Sequence, residues 1–211
     1  LFDLAALGKY RKDLVARASV TQDLQAGRNI LSHQHLVCPD SQIVLVEGNH
    51  EERVRKYLLD NAAELEPSFD VATFLLAAQG TPGFVSYVEP YGAGFDWHGV
   101  LIYHGTRISP HAGYSARMEL ADAGTSGVSG HTHRLAVHSF TDRRESHMWI
   151  EGGCLCRIRS KDWRRLPPME NPSKVRNWQQ GFVVGYYDNG LWNLYPVSIT
   201  RHLFIWEGVL Y

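Results

Sequence analysis

The amino-acid sequence predicts a layered α/β fold, and two observations indicate it. In the first half, a short apolar run of strand length lies between stretches whose apolar residues recur at helical spacing, whereas the second half is dominated by the two-residue alternation of strands. Hydrophobic residues make up 44% of the 211 residues and charged residues 20%, so the chain can bury a sizeable core. We predict a single domain over residues 1–211.

The first half is predicted to place four helices around one strand. Ser19, Thr21 and Asp23 are residue types that cap helices. The run Ile43–Val46 is short and apolar, which favours a strand buried on both faces. The predicted helices are residues 1–17, a second helix from the Ser19 cap to Cys38, residues 51–64 and residues 70–78, with a helix-breaking segment at 65–68.

The second half is predicted to be mostly strand. Asn189 and Gly190 form a two-residue signal for a hairpin turn. The predicted elements are a strand at 84–88, a hairpin of 95–97 with Val100–Tyr103, a helix at 112–123, a strand at Gly127–Ser129, and hairpins of 135–140 with 147–151 and of 182–187 with 191–196.

Charge and composition exclude several classes of protein. Lys and Arg number 21 and Asp and Glu 22, so the chain is not a globally basic nucleic-acid binder. The three cysteines cannot form an even disulfide framework, which favours a reducing, cytoplasmic compartment, and Cys154 and Cys156 lack the second pair of a zinc knuckle. No apolar run approaches the ~18 residues of a membrane span.

One long irregular region, residues 157–180, is strongly basic and carries Trp163 and Trp178. Basic charge beside aromatic rings can follow a phosphate backbone and stack on bases. The alternative, which we favour, is a solvated loop that covers a sheet and is anchored by its tryptophans.

Polar side chains follow three predicted strands at the point where each strand ends. The clusters are Asn49-His50, His104 and His131-Thr132-His133. In open α/β sheets, ligands bind outside the carboxyl ends of the strands. Neutral imidazole suits zinc, manganese, iron or cobalt, and an amide oxygen is a harder ligand beside it. The three clusters together therefore predict a metal site.

These motifs resemble those of the calcineurin-like metallophosphoesterase family, in its phage and bacterial form. The residues that carry the resemblance are Gly48-Asn49-His50-Glu51, His104-Gly105 and Gly130-His131-Thr132-His133. The resemblance covers most of the chain. It implies an αββα sandwich and hydrolysis of a phosphodiester or phosphomonoester by a water that two divalent ions (Mn, Fe, Zn, Ni or Co) activate.

The resemblance also implies a role for each matching residue. Asn49, His104 and His131 would bind one metal, and His133 would bind the other. His50 would face the substrate and stabilise or protonate the leaving oxygen, oriented by an acidic residue. The remaining candidates are Glu51 and Asp3 behind the ligands, and Arg107 and His111 for substrate contact.

The chain departs from the family pattern at its start. The Asp-x-His motif and most of the Gly-Asp-x-x-Asp motif are missing, and Asp3 matches the last aspartate of the second motif. We therefore expect an N-terminally incomplete domain that lacks its first strands. An alternative function is a non-catalytic binding or scaffold module that keeps the fold with an incomplete metal site. A metallo-β-lactamase-like hydrolase fits poorly, because Arg134-Leu135-Ala136 follows the His-x-His motif.

Overall fold

The computed structural model describes residues 1–8, 19–76, 85–156, 158 and 177–211. The chain is α/β, with a mixed sheet, and it divides into two compact units, Leu1–Gly94 and Phe95–Tyr211. Several predicted segments lie outside the described residues. They are most of the basic region (residue 157 and residues 159–176), residues 9–17 of the first predicted helix, and Ala77, Ala78 and Phe84.

The first unit packs three helices and a pair of parallel strands around one core. Its elements are helix α1 (Val20–Val37), strand β1 (Ile43–Val46), helices α2 (Arg53–Asn61) and α3 (Val71–Leu76), and strand β2 (Val85–Val88), with 3-10 helices at Ala5–Leu7 and Ala63–Ser68. The Ser19 cap is confirmed, since its hydroxyl accepts from the Gln22 amide at 3.4 Å. On α1 the ring of Phe2 occupies the space beside Gly27, where an added Cβ would lie 2.2 Å from a ring carbon.

One helix prediction in this unit is wrong. Residues 1–8 contain a single 3-10 turn rather than a helix, because Leu4 adopts a left-handed conformation (φ 49°) and both Phe2 and Leu4 are buried in the core. Leu4 and Leu7 match helical spacing, but burial of Phe2 and Leu4 determines the backbone. The predicted breaker at 65–68 does separate two α-helices, and it lies in the 3-10 helix Ala63–Ser68, which contains Pro67; the helix predicted at 51–64 ends earlier, at Asn61.

The second unit is built on a five-stranded mixed sheet. Its elements are strands β3 (Gly94–Trp97), β4 (Val100–Tyr103), β5 (Gly127–Ser129), β6 (Leu135–Thr141), β7 (Ser146–Gly152), β8 (Gly181–Asp188), β9 (Leu191–Ser198), β10 (Ile205–Trp206) and β11 (Val209–Leu210), and helix α4 (Tyr114–Ala123). The sheet order is β3-β4-β5-β7-β6, in which β4, β5 and β7 are parallel and β6 is antiparallel to β7. The hairpins β6–β7 and β8–β9 confirm two predictions.

Alternation along the strands gives this sheet two packed faces. Tyr103 and Trp149 face α4, where Trp149 packs in one cluster with Ala116 and Leu120. Val100 and Ile150 face the β8–β9 hairpin and pack against Leu194. Because successive side chains of a strand point to opposite faces, the sheet lies between a helix and a second sheet.

A helix able to span a bilayer is not found in the described part of the chain, since none combines sufficient length with sufficient apolar character.

Candidate functional site

The parallel strands β4 and β5 end side by side and place two histidines together. Tyr103 and Ser129 pair in the register, and His104 and His131 follow them within two residues. His104 Nε2 lies 3.2 Å from His131 Nδ1. The Gly130 amide donates to the His104 carbonyl at 2.9 Å and so joins the two loops. His131 adopts a left-handed backbone conformation (φ 61°), which turns the chain sharply after the strand.

The spacing of the two imidazole nitrogens fits a shared cation. Zinc–nitrogen bonds are about 2.0–2.1 Å, so two nitrogens bound to one ion lie roughly 3.0–3.4 Å apart. The observed 3.2 Å is within this range. The same distance allows one ring to donate a hydrogen bond to the other, so the two rings can adopt this arrangement with or without a bound cation.

Glu119 of α4 holds the loop that carries His104. Its side chain is buried and accepts from the amides of Thr106 at 2.7 Å and Arg107 at 2.8 Å, and from the Tyr103 hydroxyl. Burial, only partly offset by the backbone amides, raises the pKa of this carboxyl above its ordinary value. Sequence reasoning missed Glu119, because an acidic residue within a helix usually faces solvent.

Glu151 of β7 holds the loop that carries His131 and His133. It is fully buried and accepts from the Thr132 hydroxyl at 2.6 Å and from the amides of Gly113 at 2.8 Å and Ala116 at 3.2 Å. The carboxylate thereby satisfies amides at the start of α4, which have no partner within the helix. Sequence reasoning missed Glu151 as well, although an acidic residue directly after the apolar run Met148–Ile150 is a signal for a buried carboxylate.

His133 lies beside two cysteines. Its Nδ1 is 4.0 Å from Cys156 Sγ, and Cys156 Sγ is 3.3 Å from Cys154 Sγ. The Trp178 ring packs edge-on against the imidazole, with the ring centroids 4.3 Å apart. Burial, together with the neighbouring Cys156 thiol, raises the pKa of Cys154 to about 12.

In the first unit, Asp3 and His50 form a hydrogen-bonded pair. His50 Nδ1 lies 3.0 Å from Asp3 Oδ1, and Arg53 Nη1 lies 3.2 Å from the same oxygen. The hydrogen bond from His50, reinforced by the charges of His50 and Arg53, outweighs burial and holds the pKa of Asp3 below its ordinary value. A carboxylate can only accept, so Nδ1 carries the hydrogen and the ring tautomer is set.

Asn49 and Glu51 flank His50 after β1. Asn49 is half-buried. Glu51 is buried and accepts from the amides of Phe2 at 2.8 Å and Gly48 at 3.1 Å, so it fixes the turn that presents Asn49 and His50.

The two predicted substrate-contact residues are exposed. The Arg107 guanidinium is paired with Asp122 on α4, with Nε 2.5 Å from Oδ2. The His111 amide donates to the Ser109 hydroxyl at 3.2 Å. The Asp122 contact partly neutralises the charge that Arg107 offers to an anionic substrate.

Comparisons of the chain with models of known protein families, with curated proteins and with solved structures give no match. The chemistry of the residues described above is therefore the basis for assigning a function.

Proposed function

We propose that the chain is a metal-dependent phosphoesterase of the calcineurin-like type, which hydrolyses phosphodiester or phosphomonoester bonds. The observation that carries the proposal is the 3.2 Å approach of His104 Nε2 to His131 Nδ1 at the ends of adjacent parallel strands. The basic composition of residues 157–180 favours phosphodiesters, including nucleic acid, as substrates. Three cysteines without a disulfide among them suit a reducing, cytoplasmic compartment.

The proposal includes the αββα sandwich architecture. Three of its layers have counterparts within the second unit, where α4 covers one face of the mixed sheet and the β8–β9 hairpin covers the other. The first unit, taken by itself, packs helices with the parallel pair β1–β2.

In this proposal the chain supplies ligands for two divalent ions. His104 and His131 would hold one ion, for which the family resemblance also implies Asn49 as a ligand, and His133 would hold the other. When bound, the ions supply positive charge to the phosphoryl oxygens and an activated water. Glu119 and Glu151 keep the ligand loops in place through the hydrogen bonds described above.

His50 is the acid in this proposal. With Nδ1 held by Asp3, Nε2 is the atom that stabilises or protonates the leaving oxygen. The pairing orients the ring, as a carboxylate behind a catalytic imidazole does in hydrolases.

Turnover of a chromogenic phosphodiester, bis(4-nitrophenyl) phosphate, with and without Mn²⁺ tests the proposal. We expect metal-dependent hydrolysis that falls about 100-fold or more in His131→Ala and in Asn49→Ala, because losing a ligand removes charge stabilisation worth several kcal/mol. His33→Ala, at an exposed position of α1, is the matched histidine control and should keep full turnover. Unchanged turnover in His131→Ala would overturn the proposal, and metal binding without any turnover would identify a binding module instead.

The Asp3–His50 pair predicts a second effect on turnover. Asp3→Asn should lower kcat about 10–100-fold with little change in KM, because an uncharged amide, which can also turn its NH₂ group towards Nδ1, orients the imidazole less strictly than a carboxylate does. Asp70→Asn makes the same change at an exposed helix cap and serves as the control. Equal kcat in the two variants would contradict the role given to Asp3.

The pH range of this measurement follows from the lowered pKa of Asp3. The stability that the ionised carboxylate contributes is present above its unfolded pKa, near 3.8, and is lost as the pH falls through the lower folded pKa. Assays between about pH 5 and 8 therefore keep Asp3 ionised.

A further inference from the structure

A cluster of one imidazole and two thiols lies at the edge of the sheet where β7 ends. The ligand atoms of His133, Cys154 and Cys156 all lie within 4.8 Å of one another. Among the described residues, this is the one set of three histidine, cysteine or acidic side chains that could together hold a metal ion. His133 and Cys154 are half-buried, whereas Cys156 is exposed and therefore accessible to an ion from solvent.

The backbone around this cluster is cross-linked by hydrogen bonds. The Gln179 amide donates to the His133 carbonyl at 2.9 Å, and the Cys154 amide donates to the Gln179 carbonyl at 3.1 Å. The Gln180 side-chain amide donates to the Cys156 carbonyl at 2.9 Å. Gly153, with φ 74°, makes the turn into Cys154, and an added Cβ there would lie 3.1 Å from the Gln179 carbonyl oxygen. The three side chains are thus held near one another by their own backbone.

We propose that His133, Cys154 and Cys156 bind one soft divalent cation, of the zinc type, through one nitrogen and two sulfurs. With Zn–S near 2.3 Å and Zn–N near 2.0–2.1 Å, a tetrahedral ion needs roughly 3.8 Å between the sulfurs and 3.5 Å between nitrogen and sulfur. The observed 3.3 Å and 4.0 Å each differ from those values by about half an ångström. Side-chain rotation of the exposed Cys156 can provide that adjustment.

Binding at this cluster is balanced in charge and atoms. The two thiols release their protons to solvent, two sulfur–metal bonds form, and no oxidant is needed. Three protein ligands leave the fourth tetrahedral position to water or to a substrate oxygen. A disulfide between Cys154 and Cys156 would instead require an oxidant and closure of the sulfurs from 3.3 Å to about 2.05 Å.

The thiolates select the kind of ion. Cysteine sulfur favours zinc and other soft or borderline ions over magnesium and calcium, which prefer oxygen. The inference shares His133 with the proposed phosphoesterase but stands on the cluster alone, since it requires no catalysis.

Titration of the reduced 211-residue chain with Co²⁺ tests this inference, because thiolate ligands give cobalt a charge-transfer absorption in the near ultraviolet. We expect that band at one equivalent of cobalt, and its removal by Zn²⁺ but not by Mg²⁺. Cys154→Ser and Cys156→Ser should each weaken cobalt binding about 100-fold and reduce the band. Cys38→Ser removes the exposed cysteine at the end of α1 and should leave the band unchanged.

The titration decides whether the two thiols bind a metal ion. The inference is overturned if cobalt gives no thiolate band, or if the band and the affinity survive in both Cys154→Ser and Cys156→Ser. Cys156→Ser changes an exposed side chain, so a circular dichroism spectrum like that of the parent chain excludes misfolding as the cause of a lost band. A chain that shows the band without phosphoesterase turnover upholds this inference and contradicts the proposed function. Turnover without the band contradicts this inference and supports the proposed function.

Discussion

Replacing Trp149 with alanine is expected to lower the free energy of unfolding of the second unit by about 3–5 kcal/mol, the usual range for a large aromatic side chain removed from a core. Trp149 is fully buried and packs edge-on against Tyr103, with the ring centroids 5.8 Å apart. Its ring fills the space above Gly127, where an added Cβ would lie 2.5 Å from a ring carbon. Alanine would leave a cavity between the sheet and α4.

The same substitution should loosen the proposed metal ligands. Tyr103 directly precedes His104, and the Trp149 indole nitrogen donates to the Ser129 hydroxyl at 3.0 Å, two residues before His131. The tryptophan therefore supports the ends of both strands that carry the His104–His131 pair. We expect Trp149→Ala to reduce affinity for the cation as well as stability.

Urea unfolding followed by tryptophan fluorescence measures this effect in the second unit, because all six tryptophans lie between Trp97 and Trp206. Trp149→Phe retains most of the packing and loses the hydrogen bond, so a smaller decrease of about 1–2 kcal/mol is expected. Leu191→Ala, at a position that is 75% exposed, should change stability by less than about 0.5 kcal/mol. A loss below about 1.5 kcal/mol for Trp149→Ala would show that the ring is not part of the core.

Glu151→Ala should be similarly destabilising, by about 3–5 kcal/mol, because it leaves buried donors without an acceptor. The carboxylate accepts from two amides at the start of α4 and from the Thr132 hydroxyl, and alanine can accept from none of them. The loss should be concentrated in the loop of His131 and His133 and in the first turn of α4, which the carboxylate connects.

Glu151→Gln is the informative companion variant. Its carbonyl oxygen can still accept from the α4 amides, and the Thr132 hydroxyl can turn to accept from the new NH₂ group, so a loss of about 1–2 kcal/mol is expected. Glu145→Ala, in the exposed β6–β7 turn, is the acidic control. Hydrogen exchange should show faster exchange at Gly113 and Ala116 in Glu151→Ala. Exchange rates like those of the parent chain at both amides would contradict the contacts assigned to this carboxylate.

The hairpins were predictable from the sequence because their pairing is local. In the β6–β7 hairpin, the turn is closed by Asp142, which accepts from the amides of Arg144 at 2.7 Å and Glu145 at 2.9 Å. In the β8–β9 hairpin, Asn189 and Gly190 both take the positive φ that the turn requires. Strand β1 and the His104 and His131 clusters after their strands also followed from short stretches of sequence.

The start of the chain shows where local patterns fail. Leu4 and Leu7 match a helix, but residues 1–8 turn so that Phe2 and Leu4 enter a core made by segments far along the chain. The gain from burying these two side chains exceeds the weak local preference for helix.

By itself, the sequence determined the α/β class, the hairpins and the positions of Asn49, His50, His104, His131 and His133 at strand ends, because two-residue and helical periodicities are properties of neighbouring residues. Only the tertiary structure decided that β7 lies parallel to β5. That pairing joins strands from distant parts of the chain, and it brings Glu151, Cys154 and Cys156 to the edge of the sheet where His104 and His131 lie. The tertiary structure was needed to identify the buried carboxylates and the thiol pair as parts of a site, because long-range strand pairing leaves no periodic signal in the sequence.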